Sequence, residues 1–179
     1  MNEEAIRPVY WTTLMVADTA YILAATEQGL CYVGSPNEGP SAWLTWARKR
    51  LPNHTPLENN TKTKPYQHAL LDYFHNDART ISIPLDLHGT PFQLAVWQKL
   101  ADVPFGSTSS YSDIAAALGR PSSVRAVGTA IGANPVLIAV PCHRILGKNG
   151  SLTGYRGGLT MKRMLLQLEQ QVPHSGHIS

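Results

Sequence analysis

The chain lacks most of the features that would place it in an easily excluded class. Only two of its 179 residues are cysteine, Cys31 and Cys142. That is too few for a disulfide scaffold, and a chain of this length buries roughly two-thirds of its unfolded surface without one. Charged residues are scarce at 15%, against 43% hydrophobic, a globular rather than a disordered balance. No apolar run approaches the ~18 residues of a membrane span. The start, Met1-Asn2-Glu3-Glu4, has neither the basic n-region nor the apolar h-region of a secretory leader. The expectation is a cytoplasmic protein with free thiols, built as one domain or two small ones, with no membrane partner. No second Cys or His lies at ligand spacing from Cys142-His143, so no metal is expected. The Gly-rich run from Thr153 to Gly158 has no Walker lysine and no Rossmann spacing, so no nucleotide cradle and no cofactor are expected either.

Acidic residues are unevenly missing. Residues 1–88 carry seven Lys/Arg and nine Asp/Glu, whereas residues 89–179 carry eight and three. A basic second half suits an anionic partner such as nucleic acid, or it simply solvates the surface.

Val9–Val16, Tyr21–Thr26 and Leu30–Val33 are β-branched and aromatic, separated by turns at Ala17-Asp18-Thr19 and Gln28-Gly29, and read as a meander of strands. Ser41 is expected to cap a helix carrying Trp43, Leu44, Ala47 and Leu51. Residues 52–65 read as a polar loop, 66–76 as a helix with Ala69, Leu70, Tyr73 and Phe74 inward, and Ile81–Leu85 as a strand kept at an edge by Pro84. Asp86 to Gly89 marks a boundary. Thr90-Pro91-Phe92-Gln93 then opens a helix to about Asp102 with an N-cap, a proline at N1 and a capping box.

Ser110 caps a helix over Tyr111–Leu118, Gly119-Arg120-Pro121 turns the chain, and a helix from Ser122 or Ser123 ends near Gly132–Pro135. This spacing fits a helix-turn-helix or an ordinary helical hairpin. The second helix, Val124–Gly132, offers one arginine among Ala, Gly and Thr. Such a face packs tightly on a neighbour, or slides into a narrow groove with Arg125 as a probe, a minor-groove mode.

Asn134-Pro135 leads into Val136–Val140, an apolar run expected to be a buried strand or extended segment. It delivers Pro141-Cys142-His143-Arg144. Two neighbouring cations would lower a thiol from about 8.5 and populate the nucleophilic thiolate; the alternative is an inert core thiol. Cys31 reads as core. A last helix from about Leu159 places Met161, Met164, Leu165 and Leu168 inward. Glu169, electrostatically misplaced late in a helix, is either a surface residue or a partner for His143. The tail after Val172 reads as frayed.

The runs Asn134-Pro135, Val140-Pro141-Cys142-His143-Arg144-Ile145 and Gly154-Tyr155-Arg156-Gly157-Gly158-Leu159 resemble the O6-alkylguanine-DNA alkyltransferases, closely over 89–170 and in general character before that. The resemblance implies an α+β protein: a small N-terminal α/β domain of ribonuclease H-like type over 1–86, and a mainly helical, winged-helix-like C-terminal domain over 87–179. It implies direct reversal of DNA damage. The alkyl group of O6-alkylguanine, or less readily O4-alkylthymine, would pass irreversibly to Cys142 in a single turnover. His143 would deprotonate the thiol through water, and Glu169 would orient His143. Asn134 would be a hinge joining the helix-turn-helix to the active-site segment, and Tyr111 would crowd the 3′ phosphate and donate to the flipped base. Double-stranded DNA would be met through the minor groove by a monomer, using Ser110, Tyr111, Arg125, Ala126, Gly128 and Thr129. The carbonyls of Cys142 and Ile145, the Arg156 amide and the Tyr155 wall would hold the base. Relatives that bind lesions without transfer carry Trp in place of this cysteine. Ser107 stands where an acidic residue is common. Gly157 stands where many relatives carry Trp, and is expected to leave a roomier pocket for bulky adducts.

Overall fold

The computed structural model describes residues 5–170; the expectations for the first four residues and for the tail after Val172 lie outside these. Three antiparallel strands, β1 (Arg7–Val16), β2 (Thr19–Thr26) and β3 (Gly29–Val33), form the expected meander. Successive side chains on a strand point to opposite faces, and the core divides accordingly except at Cys31, where a register shift against Ala24 and Ala25 leaves Cys31 and Tyr32 on one side. Val9, Ile22, Ala24, Cys31 and Tyr32 pack on one face against Trp43, Ala47 and Leu51 of helix α1 (Pro40–Arg50) and its C-cap. Leu14, Tyr21, Leu23, Leu30 and Val33 pack on the other, in a cluster that continues without a break from Leu70 and Tyr73 through Trp97, Ile131, Leu137 and Leu165. Cys31 is core, its thiol donating to the Ala24 carbonyl at 3.4 Å.

Three local expectations need correction. Helix α1 is capped by Gly39, with Pro40 at its first position, rather than by Ser41; proline's missing N–H is one the first turn leaves unsatisfied anyway. Residues 52–65 are not all loop: β4 (His54–Glu58) pairs parallel with β1 and completes a sheet of order β3-β2-β1-β4. It is polar and contains Pro56, which only an edge strand tolerates. Ile81–Leu85 is not a strand. Leu85 alone bridges Leu30, the Leu30 amide donating to Pro84 O and the Asp86 amide to Leu30 O, both at 2.9 Å. Gly29, at φ +153°, allows this approach, because a Cβ there would overlap the Pro84 carbonyl.

Helix α2 (Lys64–Phe74) begins earlier than expected, around Pro65. Helix α3 (Pro91–Leu100) has the expected box, Thr90 Oγ1 accepting from the Gln93 amide and Gln93 Oε1 from the Thr90 amide. After β5 (Ser109–Ser110), Ser110 and Asp113 form a second box at the start of α4 (Tyr111–Ala117). A turn leads to α5 (Val124–Gly132), which buries Val127, Ala130 and Ile131. The Trp97 indole donates to Ala130 O at 2.8 Å and fixes α3 on α5. Beyond a 3-10 turn at Cys142–Arg144, β6 (Ile145–Leu146) pairs parallel with β5, and α6 (Leu159–Gln170) closes the fold. Among the described residues no helix is long and apolar enough to cross a membrane.

Candidate active site

The apolar run after Asn134 is buried as expected, but it is neither strand nor extended. Only Val136 bridges β3, at Val33. The chain then turns back, with Val140 N donating to Val136 O at 3.1 Å and Ile138 at φ +72°. A single side chain explains the turn. Buried Asn134 accepts from the Val136 amide at 2.9 Å and donates from Nδ2 to Val140 O at 3.0 Å, drawing both ends of the run to one amide group. Apolar composition specifies burial here; the asparagine specifies shape. A β-branched residue in the left-handed region is strained and persists only where its surroundings hold it.

The same Nδ2 donates to Cys142 Sγ at 3.1 Å. Cys142 is 3% exposed. Burial pushes its thiol up, and the Asn134 hydrogen bond and the cations Arg156 and Lys162 pull it back. The sequence neighbours His143 and Arg144, expected to supply that cationic field, do not, because both are spent on Glu169.

Glu169 is 4% exposed and lies on the face of α6 that carries Met161 and Leu165, four-residue steps apart. Of the two readings of this carboxylate, the buried partner of His143 is the one observed. Its Oε1 meets His143 Nε2 at 2.7 Å and accepts from the Tyr73 hydroxyl at 2.7 Å. Arg144 donates through Nε at 3.0 and 3.1 Å and through Nη2 at 2.9 Å, and the Gly106 amide donates to Oε2 at 3.2 Å. Burial alone would raise this carboxyl; the hydrogen bonds from His143 and Arg144 outweigh it and hold it at about 2. Burial lowers His143, which is therefore neutral at physiological pH. A carboxylate only accepts, so Nε2 carries the ring proton and Nδ1 is the basic nitrogen. Nδ1 is buried and has no hydrogen-bond partner among the described residues. Tyr73 and the Arg144 role were missed in the sequence. Tyr73 looked like one more apolar residue of α2, and its Glu169 partner lies 96 positions away.

The remaining residues of interest divide into two groups. On α5 Arg125, Ala126 and Thr129 are exposed and Gly128 is half-buried, with exposed Ser122 just before the helix. A groove of about 630 Å³ runs between this face and the start of α3, lined in part by Phe92, Gln93, Arg125 and Thr129. Tyr111, held at the head of α4 by the Ser110 box, lies against Gly128, and its hydroxyl pairs with Thr153 Oγ1 at 2.7 Å. That contact joins the helix pair to the Gly-rich segment.

In the second group, Ile145 is fully buried, and Tyr155 has a buried hydroxyl without a hydrogen-bond partner among the described residues. Arg156 turns its side chain away to the first half of the chain. It donates to Asn134 O, Val33 O and Glu38 at 3.0, 2.8 and 3.0 Å, and its guanidinium lies over the Tyr32 ring. Gly157 does not open extra room: Met161 Sδ and the Tyr155 ring fill the space where its side chain would be. On α6 the inward set is Met161, Lys162, Leu165 and Glu169, with Met164 39% exposed. The expected apolar set therefore missed Lys162, a residue type ordinarily read as surface. No group of three His, Cys, Asp or Glu side chains among the described residues is placed to hold a metal ion.

Comparison with known proteins fits this arrangement. The family described as 6-O-methylguanine DNA methyltransferase, DNA binding domain, matches residues 91–171. The inducible methylated-DNA--protein-cysteine methyltransferase of Bacillus subtilis is 49% identical over 172 residues, covering 93% of this chain and 96% of its own length. Among solved structures, the O6-methylguanine methyltransferase of Mycobacterium tuberculosis superposes with a TM-score of 0.77 at 34% identity, over 94% of this chain and 96% of that one. A second crystal structure from that organism, in complex with DNA, gives 0.76 at 35% identity over 91% and 92%. An alignment at 49% identity that covers 93% of the chain spans both halves of the sequence, and on that ground the chain belongs to the methylated-DNA–protein-cysteine methyltransferase family.

Proposed function

We propose that this chain repairs alkylated DNA directly, taking the alkyl group from O6 of guanine, and less readily from O4 of thymine, onto Cys142. The observation that carries the assignment to Cys142 is its thiol, held by Asn134 beside a neutral His143 whose other nitrogen is locked on a buried carboxylate.

His143 Nδ1 takes the thiol proton through an intervening water, and Glu169 stabilises the imidazolium that forms. The thiolate attacks the alkyl carbon; the S–C bond forms as the C–O6 bond breaks. The bonding pair leaves on the guanine, which regains its proton from Tyr111 or from water relayed by His143. The product is a thioether, which no group in the site can cleave, so each molecule acts once.

A base inside a duplex cannot reach a thiol that is 3% exposed, so the lesion is extruded, at a cost of a few kcal/mol. The small residues Ala126, Gly128 and Thr129 let α5 enter the minor groove. Arg125 fills the vacated stack, Ser110 and Tyr111 meet the backbone, and the base is held by the Cys142 and Ile145 carbonyls, the Arg156 amide and the Tyr155 ring, beside Gly157. We read the first 86 residues as a ribonuclease H-like domain, a reading supported by one parallel and two antiparallel pairings. The rest reads as winged-helix-like, supported by the β5–β6 pair beside α4 and α5. The protein works as a monomer on double-stranded DNA in the cytoplasm.

The test is intact-protein mass after mixing with excess duplex bearing O6-methylguanine. The expected result is a gain of one methylene mass, mapped to the Cys142 peptide and abolished in Cys142→Ala, which still binds the DNA. Binding without mass gain in the unmodified protein would leave only lesion recognition.

A further inference from the structure

The donors that hold Glu169 come from two distant parts of the chain. His143, Arg144 and the Gly106 amide belong to the second half. Tyr73 belongs to α2, in the first, and reaches Glu169 across 96 positions. It is 1% exposed, and its ring is set across those of Phe74, Phe105 and His143, at centroid separations of 5.7, 6.0 and 6.5 Å. Burial and the Glu169 charge push the phenol far up, so it keeps its proton and stays a donor. Its Oη lies 3.4 Å from His143 Nε2. Both atoms carry protons, so neither serves the other. They compete for one acceptor, Glu169 Oε1, which each meets at 2.7 Å.

A hydrogen bond to a carboxylate stabilises its charge and makes it a weaker base. The Tyr73 bond therefore lowers Glu169, and Glu169 is the group that raises His143. We propose that Tyr73 is a positioning residue of the transfer reaction: its hydroxyl holds Glu169 in place and limits the carboxylate's pull on the imidazole, so that His143 stays neutral and free to take the thiol proton. The proposal rests on Cys142 being the acceptor and His143 its base. The charged and titratable groups facing the imidazole are Tyr73 of α2, Cys142 and Arg144 of the 3-10 turn, and Lys162 and Glu169 of α6, with Tyr155 and Arg156 of the Gly-rich segment beyond Cys142. The first half of the chain thus enters the chemistry through one hydroxyl, without touching the substrate.

The first measurement is the Nε2 proton resonance of His143 in the full chain, without DNA. Tyr73→Phe removes one donor and leaves Glu169 its bonds to His143, Arg144 and Gly106. The His143–Glu169 bond should tighten and the resonance move downfield. A 3-fluorotyrosine in place of Tyr73 is a stronger donor and should move it upfield. That variant keeps the hydroxyl, and it decides the matter if Tyr73→Phe does not fold. The second measurement is single-turnover transfer from duplex O6-methylguanine at saturating protein, followed against pH. The acid limb, where His143 takes up a proton, should move up by about one unit in Tyr73→Phe. Because a stronger base is also a faster one, the two profiles should cross, the variant being about threefold slower on the limb and about threefold faster on the plateau. A resonance unmoved in both variants, or one uniform slowing at every pH, would reduce Tyr73 to a packing residue and overturn the proposal. The resonance is read without DNA, so a failure of alkyl transfer itself would show separately, as no mass gain in the unmodified protein.

Discussion

Replacing Glu169 with glutamine removes one charge and almost no volume, so its consequences are electrostatic. The carboxylate titrates at about 2 in the fold against an ordinary 4.5. At 1.36 kcal/mol per unit, the folded state therefore gains about 3 kcal/mol from keeping it ionised. Breaking a buried ion pair by removing one partner costs a similar 3–5 kcal/mol, and Arg144, with its side chain 10% exposed, is the partner left behind. The variant should lose about 3 kcal/mol in urea denaturation at pH 7, which for a chain of this size is roughly 6–12 °C in Tm. Since the folded pKa is depressed, this stability is fully present above the unfolded value and is lost as pH falls through about 2. The gap between the two proteins should close between about pH 5 and pH 2. Transfer should slow by about 10²-fold, the lower end of what a general base contributes, because an amide stabilises the His143 imidazolium poorly. A stability loss under about 1 kcal/mol, or one that does not change with pH, would refute the account of Glu169 as the charged hub of the site.

Arg125→Ala should cut transfer from duplex O6-methylguanine about tenfold, the equivalent of roughly 1.4 kcal/mol of lost stack replacement. It should leave transfer from free O6-benzylguanine unchanged, since a free base needs no extrusion; equal losses on both substrates would remove Arg125 from the flipping step. Gly157→Ala should overpack Met161 and Tyr155 and cost about 1–3 kcal/mol in urea denaturation, recovered in part when Met161 is also cut to alanine. An unchanged midpoint would mean that the two side chains yield freely.

What was legible in the sequence was local. The boxes at Thr90 and Ser110, the meander and the Gly119-Arg120-Pro121 turn between α4 and α5 depend on neighbours within a few residues. The Pro-Cys-His-Arg run drew attention to Cys142, and the misplaced charge of Glu169 drew attention to the carboxylate. What escaped depends on distant partners. Val136–Val140 has the composition of a strand and becomes a turn because Asn134 bonds both its ends. Polar His54–Glu58 becomes a strand because β1 offers a free edge. Lys162 goes inward because Ile145 and Thr153 present carbonyls to it, and Tyr73 turns polar only where Glu169 stands. Arg144, read as a neighbour of the thiol, proved to be the support of a carboxylate on another helix.

The side chain of Arg156 works as a rivet through the molecule. One guanidinium, sitting on Tyr32, pins the Val33 carbonyl and Glu38 from the opening sheet to the Asn134 carbonyl at the end of α5. The point at which the sequence invites a cut, near residue 86, is therefore bridged by one side chain that bonds residues on both sides of it. A fragment trimmed to the basic half would keep the thiol, the imidazole and the carboxylate. It would lose the Val33 carbonyl, Glu38 and the Tyr32 ring, and with them all but the Asn134 contact of the Arg156 guanidinium.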